Sequence, residues 1–230
     1  MVVGDYLLAG FVAMLTGLDR VALVQVMISR PLVAGPLTGW VLGSPLVGLE
    51  VGMLLELLWL GRLPVGAAIP PDDTQVTVGA TVLALSVGPT LGLSGMPLVI
   101  LSVLIAIPLG KFGQVFDRLA RHVNDRLAVS GHTALMAGNI GGLERNHLFG
   151  LASFALASLA TVLVIVLAGS FVLYSVAPLL IGTIQEVGLS LQYSLILVGA
   201  AVLLGTINVN RSASLFCAAF TGTMLVLWLK

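Results

Sequence analysis

The chain has 230 residues, of which 58% are hydrophobic and only 9% are charged. A soluble domain carries about 25% charged residues, so this composition excludes an ordinary soluble enzyme and a disordered protein. The ten basic and ten acidic side chains cancel, which excludes the basic field of a nucleic-acid-binding protein. A single cysteine excludes an internal disulfide and a cysteine-based metal cluster. We therefore predict an all-α integral membrane protein.

The first apolar stretch, Tyr6–Leu18, is predicted to remain in the mature protein. A signal peptide begins with basic residues, whereas no Lys or Arg precedes Arg20 in this chain. The stretch is therefore interpreted as part of the membrane domain and not as a targeting segment.

The next part of the chain is apolar but repeatedly interrupted. Its pieces are shorter than the ~20 residues that a helix needs to cross a bilayer core of ~30 Å. They could pair into single crossings or form re-entrant hairpins, and such breaks often mark the substrate site of a transporter. We predict broken or re-entrant helices in the N-terminal half. The pieces are Val21–Ile28, Leu32–Gly43 and Leu46–Leu60.

The second half contains longer apolar stretches around one polar segment, residues 111–147. This segment holds five of the ten basic residues, and apolar side chains recur at helical spacing within Phe112–Ala128. The pattern predicts an amphipathic helix, and the basic excess places it on the cytoplasmic side. The chain as a whole, residues 1–230, is predicted to be one polytopic helical bundle. Leu148–Leu180 is predicted to be one long, tilted crossing or a crossing with a second, interfacial piece, and two further crossings are predicted at Leu191–Thr206 and Leu215–Leu229.

Glycines at intervals of four predict close helix packing. Gly35, Gly39 and Gly43 have this spacing, and Gly48 and Gly52 repeat it. Residues four apart lie on one face of a helix, and a face without side chains lets another helix approach closely. Tight packing is the favoured interpretation, and the pattern says little about function.

Glu56 lies inside an apolar helix, and two interpretations of it remain open. A carboxylate at membrane depth costs ~2.5–3.5 kcal/mol, so it needs a partner, a cavity or a proton. In the first interpretation Glu56 accepts a hydrogen bond from a polar solute or carries a proton. In the second it forms a buried salt bridge with Arg30 or Arg62.

Two adjacent acids, Asp72 and Asp73, follow two prolines between apolar stretches. Carboxylates side by side on a stiff turn can accept hydrogen bonds from the vicinal hydroxyls of a sugar, and they would also suit a cation. The alternative is a solvated turn in which Asp73, which precedes Thr74, caps the following helix.

A late polar turn around Asn208 is the remaining candidate. Asparagine both donates and accepts hydrogen bonds, which suits a hydroxylated ligand, although a loop at the membrane interface is an equal alternative. The histidines are too far apart for a metal motif and are interpreted as solvated. We therefore predict no metal site and no cofactor. The histidines are His122, His132 and His147.

The order and spacing of these motifs resemble the IIC subunit of the mannose, fructose and sorbose family of phosphotransferase system (PTS) sugar permeases. Each motif alone is weak evidence for a family, but the order and spacing of the motifs along nearly the whole chain are specific. The matching positions are Arg30-Pro31-Leu32, Gly39 to Gly43, Gly52 to Glu56, Gly66-Ala67-Ala68, Pro71-Asp72, Pro108-Leu109, Gly113-Gln114, and Ile207-Asn208 with Arg211.

This resemblance implies a multi-pass protein of the bacterial cytoplasmic membrane that binds a sugar between broken helices and carries it inward by an elevator-like movement. It implies a IID membrane subunit as a partner, with the IIC–IID pairs assembled as trimers. A cytoplasmic IIB protein, which receives phosphate from IIA, then phosphorylates the sugar. The chain alone is therefore not expected to be an enzyme.

By position, Glu56, Asp72 and Asn208 match the polar membrane residues of the family that the chain resembles. Gln25 is a further candidate contact, and Asp73 follows Asp72 where relatives often have a small residue. These five residues form the predicted sugar-binding set, which acts through hydrogen bonds. Two other functions remain open: an ion-coupled secondary transporter, in which Glu56 and Asp72 carry a proton or sodium, and a structural subunit whose partner binds the solute.

Overall fold

The computed structural model describes residues 3–60, 69–206 and 211–228, apart from some side chains between positions 181 and 227. The described part of the chain is helical and contains no strand, which confirms the predicted all-α class. The helices are α1 (Val3–Val21), α2 (Pro31–Val41), α3 (Pro45–Trp59), α4 (Asp73–Thr90), α5 (Met96–Leu109), α6 (Lys111–Met136), α7 (Ile140–Thr206) and α8 (Ser212–Trp228).

Prolines mark the start of several of these helices. Pro31 and Pro45 occupy the first turns of α2 and α3, and Pro97 occupies that of α5. Proline is favoured there because its φ angle is already helical and its missing N–H would have no partner within the helix. With 11 and 15 residues, α2 and α3 are about 17 and 23 Å long, so neither alone spans a bilayer core.

Helix α4 lies at the centre of the bundle. Fourteen of its eighteen residues are buried, and it contacts α1, α2, α3, α5 and α7. One core cluster joins α4 to α3, α5 and α7, and a second joins it to α1, α2 and α7. The turn that precedes α4, which carries Asp72, is therefore fixed relative to most of the bundle.

The glycines of α2 and α3 form a close backbone crossing, as their spacing predicts. A Cβ atom placed on Gly35 would overlap the carbonyl oxygen of Gly48, and one placed on Gly48 would overlap that of Gly35. Gly39 and Gly52 are enclosed by backbone in the same way. Gly43 was expected on this face, and that expectation is wrong. It follows α2 with φ +82° and open space around it, because the turn into α3 needs a left-handed residue.

Helices α6 and α7 form a long antiparallel pair. Gly113 lies against Thr161, and Gly131 lies against Leu143. The predicted amphipathic helix Phe112–Ala128 is present but extends further, to the end of α6. Small residues form its buried face, so the two helices approach closely while most other side chains of α6 remain exposed.

Helix α7 is longer than the sequence predicts. Separate crossings were expected at Leu148–Leu180 and Leu191–Thr206, and this is wrong because α7 continues through both. No proline lies between the two apolar stretches, so every residue there can donate its N–H to the helix.

Two segments have the length and apolar composition of a membrane crossing. The first is Ile140–Leu180 within α7. The second is α5 together with α6, which reach the length and apolar composition of a crossing only as a pair and are bent by 42° at the break between them. Among the described residues, length and composition thus give one crossing by a single helix and up to one more by the bent pair.

Candidate functional site

The turn before α4 carries the two adjacent acids. Asp72 is the N-cap residue, since its carboxylate accepts a hydrogen bond from the Gln75 amide at 3.0 Å. The Asp72 amide donates to the carbonyl oxygen of Gly110, at the junction of α5 and α6, at 3.3 Å. The alternative in which Asp73 caps α4 is therefore wrong by one position, because the preceding carboxylate reaches the free N–H of the first turn.

Arg20, at the end of α1, forms ion pairs with both acids. Its guanidinium contacts the carboxylate of Asp72 and lies 2.9 Å from that of Asp73. The three side chains are mostly buried, with exposed fractions between 16% and 19%. One guanidinium can serve two carboxylates because it has five N–H donors in a fixed plane. Arg20 lies 52 residues before Asp72, and no local pattern identifies it as the partner.

The loop between α1 and α2 is held by Asp19. The Asp19 carboxylate accepts hydrogen bonds from the amides of Val26 at 2.8 Å and Ser29 at 3.0 Å. The hydroxyl of Thr74 on α4 donates to the Ser29 carbonyl at 2.7 Å. The predicted apolar piece Val21–Ile28 therefore forms a loop after its first residue, stabilised by a side chain of the preceding helix.

Gln25 lies on the exposed side of this loop with φ +55°. Val24 and Met27 are also left-handed, with φ +61° and +68°. A left-handed conformation costs a non-glycine residue roughly 1–2 kcal/mol, and such strain concentrates at functional sites and switches. No described contact joins Gln25 to Glu56 or Asp72.

Glu56 pairs with Arg30 at the start of α2. The Arg30 Nε atom lies 3.6 Å from Glu56 Oε1, and the Leu32 amide donates to Oε2 at 3.2 Å. Of the two interpretations of Glu56, the salt bridge is thus the one formed in this conformation. Arg62, its other candidate partner, lies outside the described residues.

The structure brings together only part of the predicted set. Asp72 and Asp73 share one turn and one cationic partner, whereas Glu56 lies between α2 and α3 and Gln25 in the loop before α2. Asn208 lies outside the described residues, so its role stays a prediction.

A cavity of about 120 Å³ lies beside the Asp72 turn, where α1, α6 and α7 meet. At about 30 Å³ per water it holds roughly four waters, which suits a small polar solute. Its lining combines charges with hydroxyls, and most of these residues have no sequence motif that marks them. The polar and charged lining residues are Arg20, Asp72, Asp117, Arg121, Ser158 and Thr161.

Glycines let the walls of this cavity approach one another. A Cβ atom placed on Gly17 would overlap the Ser158 hydroxyl, and one on Gly113 would lie 2.6 Å from the Cβ of Asp72. Gln75 is fully buried behind Gly17, and its carboxamide oxygen has no hydrogen-bond partner in the described part of the chain. A second cavity of about 350 Å³ adjoins between α6, α7 and the end of α1.

A double-mutant cycle tests the structural role of Glu56. We expect Glu56→Gln and Arg30→Gln each to lower the free energy of unfolding by about 0.5–1 kcal/mol, the usual value of a partly exposed ion pair. The double variant should be no less stable than either single variant, because both remove the same interaction. Thermal melting in detergent measures this. Fully additive losses would show that Glu56 and Arg30 stabilise the protein independently.

Comparisons with known proteins identify the family. The family model EII-Sor, described as the PTS system sorbose-specific IIC component, matches residues 3–228. The fructose permease IIC component of Bacillus subtilis (strain 168) is 29% identical over 224 residues, which cover 94% of this chain and 78% of that relative. The mannose-specific EIIC component of Escherichia coli (strain K12) is 29% identical over 140 residues, which cover 61% of this chain but only 49% of the relative.

Two solved structures share the fold. A membrane protein superimposes with a TM-score of 0.72 at 23% identity, and the cryo-EM structure of the mannose transporter ManYZ with microcin E492 does so with 0.64 at 23% identity. Each match covers 97% of this chain and 87% of the other. The family match over nearly the whole length confirms the resemblance seen in the sequence and the predicted membrane location. The chain therefore belongs to the EII-Sor family and is a IIC component of a PTS sugar permease, a multi-pass protein of the cell membrane.

Proposed function

We propose that this chain is the sugar-binding and translocating subunit of a mannose-family PTS permease. The observation that carries the proposal is the cavity beside Asp72, where a carboxylate and the Arg20 guanidinium are both mostly buried between three helices. A carboxylate accepts hydrogen bonds from sugar hydroxyls, and a guanidinium donates to their oxygens. Neutral hydroxylated solutes therefore suit the site better than apolar ones.

The named relatives support a monosaccharide as the solute. They are described as fructose, mannose-specific and sorbose-specific components. These names belong to the relatives, and we carry them over as the panel of sugars to test. The volume of the cavity favours one small solute over an oligosaccharide.

An incoming sugar has to compete with Arg20 for the two acids. In the present conformation Arg20 satisfies Asp72 and Asp73. A sugar hydroxyl replaces part of these hydrogen bonds, and exchanging one hydrogen bond for another changes the free energy only modestly. Each contact of the sugar with these acids therefore adds only a modest binding free energy.

In the proposed complex the chain pairs with a IID membrane subunit, and the pairs assemble as trimers. The sugar moves inward with an elevator-like displacement of the membrane helices. A cytoplasmic IIB protein, which receives its phosphate from IIA, then phosphorylates it. The task of this chain is to hold and release the sugar through hydrogen bonds, without covalent chemistry of its own.

The dependence of uptake on the phosphate donor tests this function. In vesicles that contain the chain with its IID subunit, labelled mannose, fructose or sorbose should accumulate as the sugar phosphate only when IIB and phosphorylated IIA are supplied. A proton or sodium gradient should not replace the donor. Accumulation of unmodified sugar driven by such a gradient, without IIA, would instead identify an ion-coupled secondary transporter.

A further inference from the structure

We propose that the sugar site extends onto α6, where Asp117 and Arg121 form a second polar wall of the cavity. This inference rests on the proposed sugar-transport function and adds two residues to it. Both residues belong to the amphipathic helix Phe112–Ala128 that the sequence predicts. The structure instead turns them toward the cavity that Asp72 lines.

The spacing of the residues on α6 explains how one helix supplies this wall. Gly113, Asp117 and Arg121 are four residues apart, so they lie on one face of the helix, and all three line the cavity. Gly113 packs against Asp72, which places Asp117 one turn further along the same wall. Asp117 is close enough to interact electrostatically with both Asp72 and Arg20.

Asp117 and Arg121 also form an ion pair with unequal burial. The Arg121 Nε atom donates to Asp117 Oδ2 at 2.6 Å. The exposed fraction is 18% for the Asp117 side chain and 52% for the Arg121 side chain. The guanidinium therefore reaches in from the open end and orients the carboxylate. An exposed pair of this spacing contributes only a few tenths of a kcal/mol, so folding stability gives little reason to bury the acid.

The third helix adds hydroxyl oxygens to the same cavity. The Ser158 and Thr161 hydroxyls of α7 donate to carbonyl oxygens one turn earlier, at 3.0 and 2.8 Å. Their protons are thus engaged, and their oxygens remain available as acceptors. The cavity accordingly offers acceptors from α6, α7 and the Asp72 turn.

The charges that line the cavity balance. Two carboxylates, those of Asp72 and Asp117, lie beside two guanidiniums, those of Arg20 and Arg121. The cavity thus offers both acceptors and donors, which suits the hydroxyls of a neutral monosaccharide. The Asp117 carboxylate also repels the anionic phosphate ester of that sugar.

Uptake kinetics test the assignment. Asp117→Asn and Arg121→Gln should each raise the KM for mannose, fructose or sorbose by about tenfold or more, because each removes a hydrogen bond from a charged group. Asp125→Asn and Arg118→Gln are matched controls on exposed positions of the same helix, and they should leave KM within about twofold of the wild type. KM does not depend on how much protein reaches the membrane.

A competition measurement separates binding from a structural role. In the detergent-solubilised complex, mannose 6-phosphate should displace labelled mannose about fivefold better from Asp117→Asn than from the wild type, because one repelling charge is gone. If Asp117→Asn only disordered the cavity locally, mannose 6-phosphate would not bind to the variant more tightly than to the wild type. Unchanged competition together with unchanged KM in both α6 variants would overturn the assignment.

Failure of the α6 assignment and failure of the proposed sugar transport give different results. If Asp72→Asn loses uptake while the α6 variants keep a normal KM, the sugar site does not extend to α6 and the proposed function stands. If the wild-type complex takes up none of the three sugars, the proposed function itself fails. If Asp117→Asn and Arg121→Gln do not reach the membrane, Asp117→Glu and Arg121→Lys are measured in their place, and an increase in KM is again expected. These two variants keep the charge of the side chain but change its position.

Discussion

Asp72→Asn is expected to reduce sugar uptake by roughly 10- to 100-fold while the protein remains in the membrane. Asparagine is as good an N-cap residue as aspartate, so α4 still begins at the same position. The neutral amide loses the charged hydrogen bonds to Arg20 and to the sugar, and one hydrogen bond to a charged group is worth about 1.5–3 kcal/mol. Initial rates of labelled sugar uptake, normalised to the protein detected in the membrane, measure the effect.

The matched control for this variant is Asp125→Asn, which makes the same chemical change at an exposed position of α6. It should transport at the wild-type rate. If Asp72→Asn also transports at that rate and with an unchanged KM, Asp72 does not bind the sugar and its role is limited to capping α4 and pairing with Arg20.

The second large effect is expected at the glycine crossing of α2 and α3. Gly35→Ala or Gly48→Ala should destabilise the protein by about 3 kcal/mol, because the new Cβ atom meets a backbone carbonyl that cannot move aside by rotating a side chain. The gain in helix propensity, about 1 kcal/mol per Gly→Ala change, is smaller than this loss. Thermal melting followed by size-exclusion chromatography in detergent measures the difference.

Gly182→Ala provides the control for the crossing. This glycine is also helical, and nothing lies within 4 Å of its Cβ position. Alanine there should leave the melting temperature unchanged or raise it slightly. If Gly35→Ala leaves the melting temperature unchanged, as Gly182→Ala should, the backbones of α2 and α3 do not approach as closely as described. The position of Glu56 beside Arg30, which depends on that close approach, would then be wrong as well.

The helical class and the close crossing could be predicted because both depend on local rules. A composition with so few charges allows few alternatives to buried or lipid-facing helices, and Pro31 and Pro45 define helix starts through backbone geometry alone. The four-residue spacing of Gly35 and Gly39 specifies a smooth face in any helix. Gly43 fits the same spacing, but the sequence does not show that the helix ends before it.

The partners in the site could not be predicted because they depend on long-range packing. Arg20 meets Asp72 across 52 positions of the chain, and only the docking of α1 against α4 brings them together. Asp117 and Arg121 were visible as an ordinary pair on an amphipathic helix. Their spacing with Gly113, four and eight residues earlier, was a usable signal, but it identifies a face without saying what that face contacts.

The backbone conformation of the loop before α2 also depends on long-range contacts. Val24 favours extended backbone, yet it is left-handed here with φ +61°. The Asp19 carboxylate compensates by binding two loop amides. Local propensity predicts neither the strain nor its compensation, because the contacts that hold the loop come from other elements: the Asp19 carboxylate on α1 and the Thr74 hydroxyl on α4.

Protection of an introduced cysteine by sugar tests most directly whether the cavity is the sugar site. Ala157 of α7 lines the cavity, so Ala157→Cys in a Cys217→Ser background places a single thiol there. We expect a transported sugar to slow the reaction of this thiol with a water-soluble methanethiosulfonate, and to leave Ala137→Cys, in the exposed turn after α6, unaffected. If the Ala157→Cys protein still transports the sugar while the sugar gives no protection, the sugar binds elsewhere and the account is wrong.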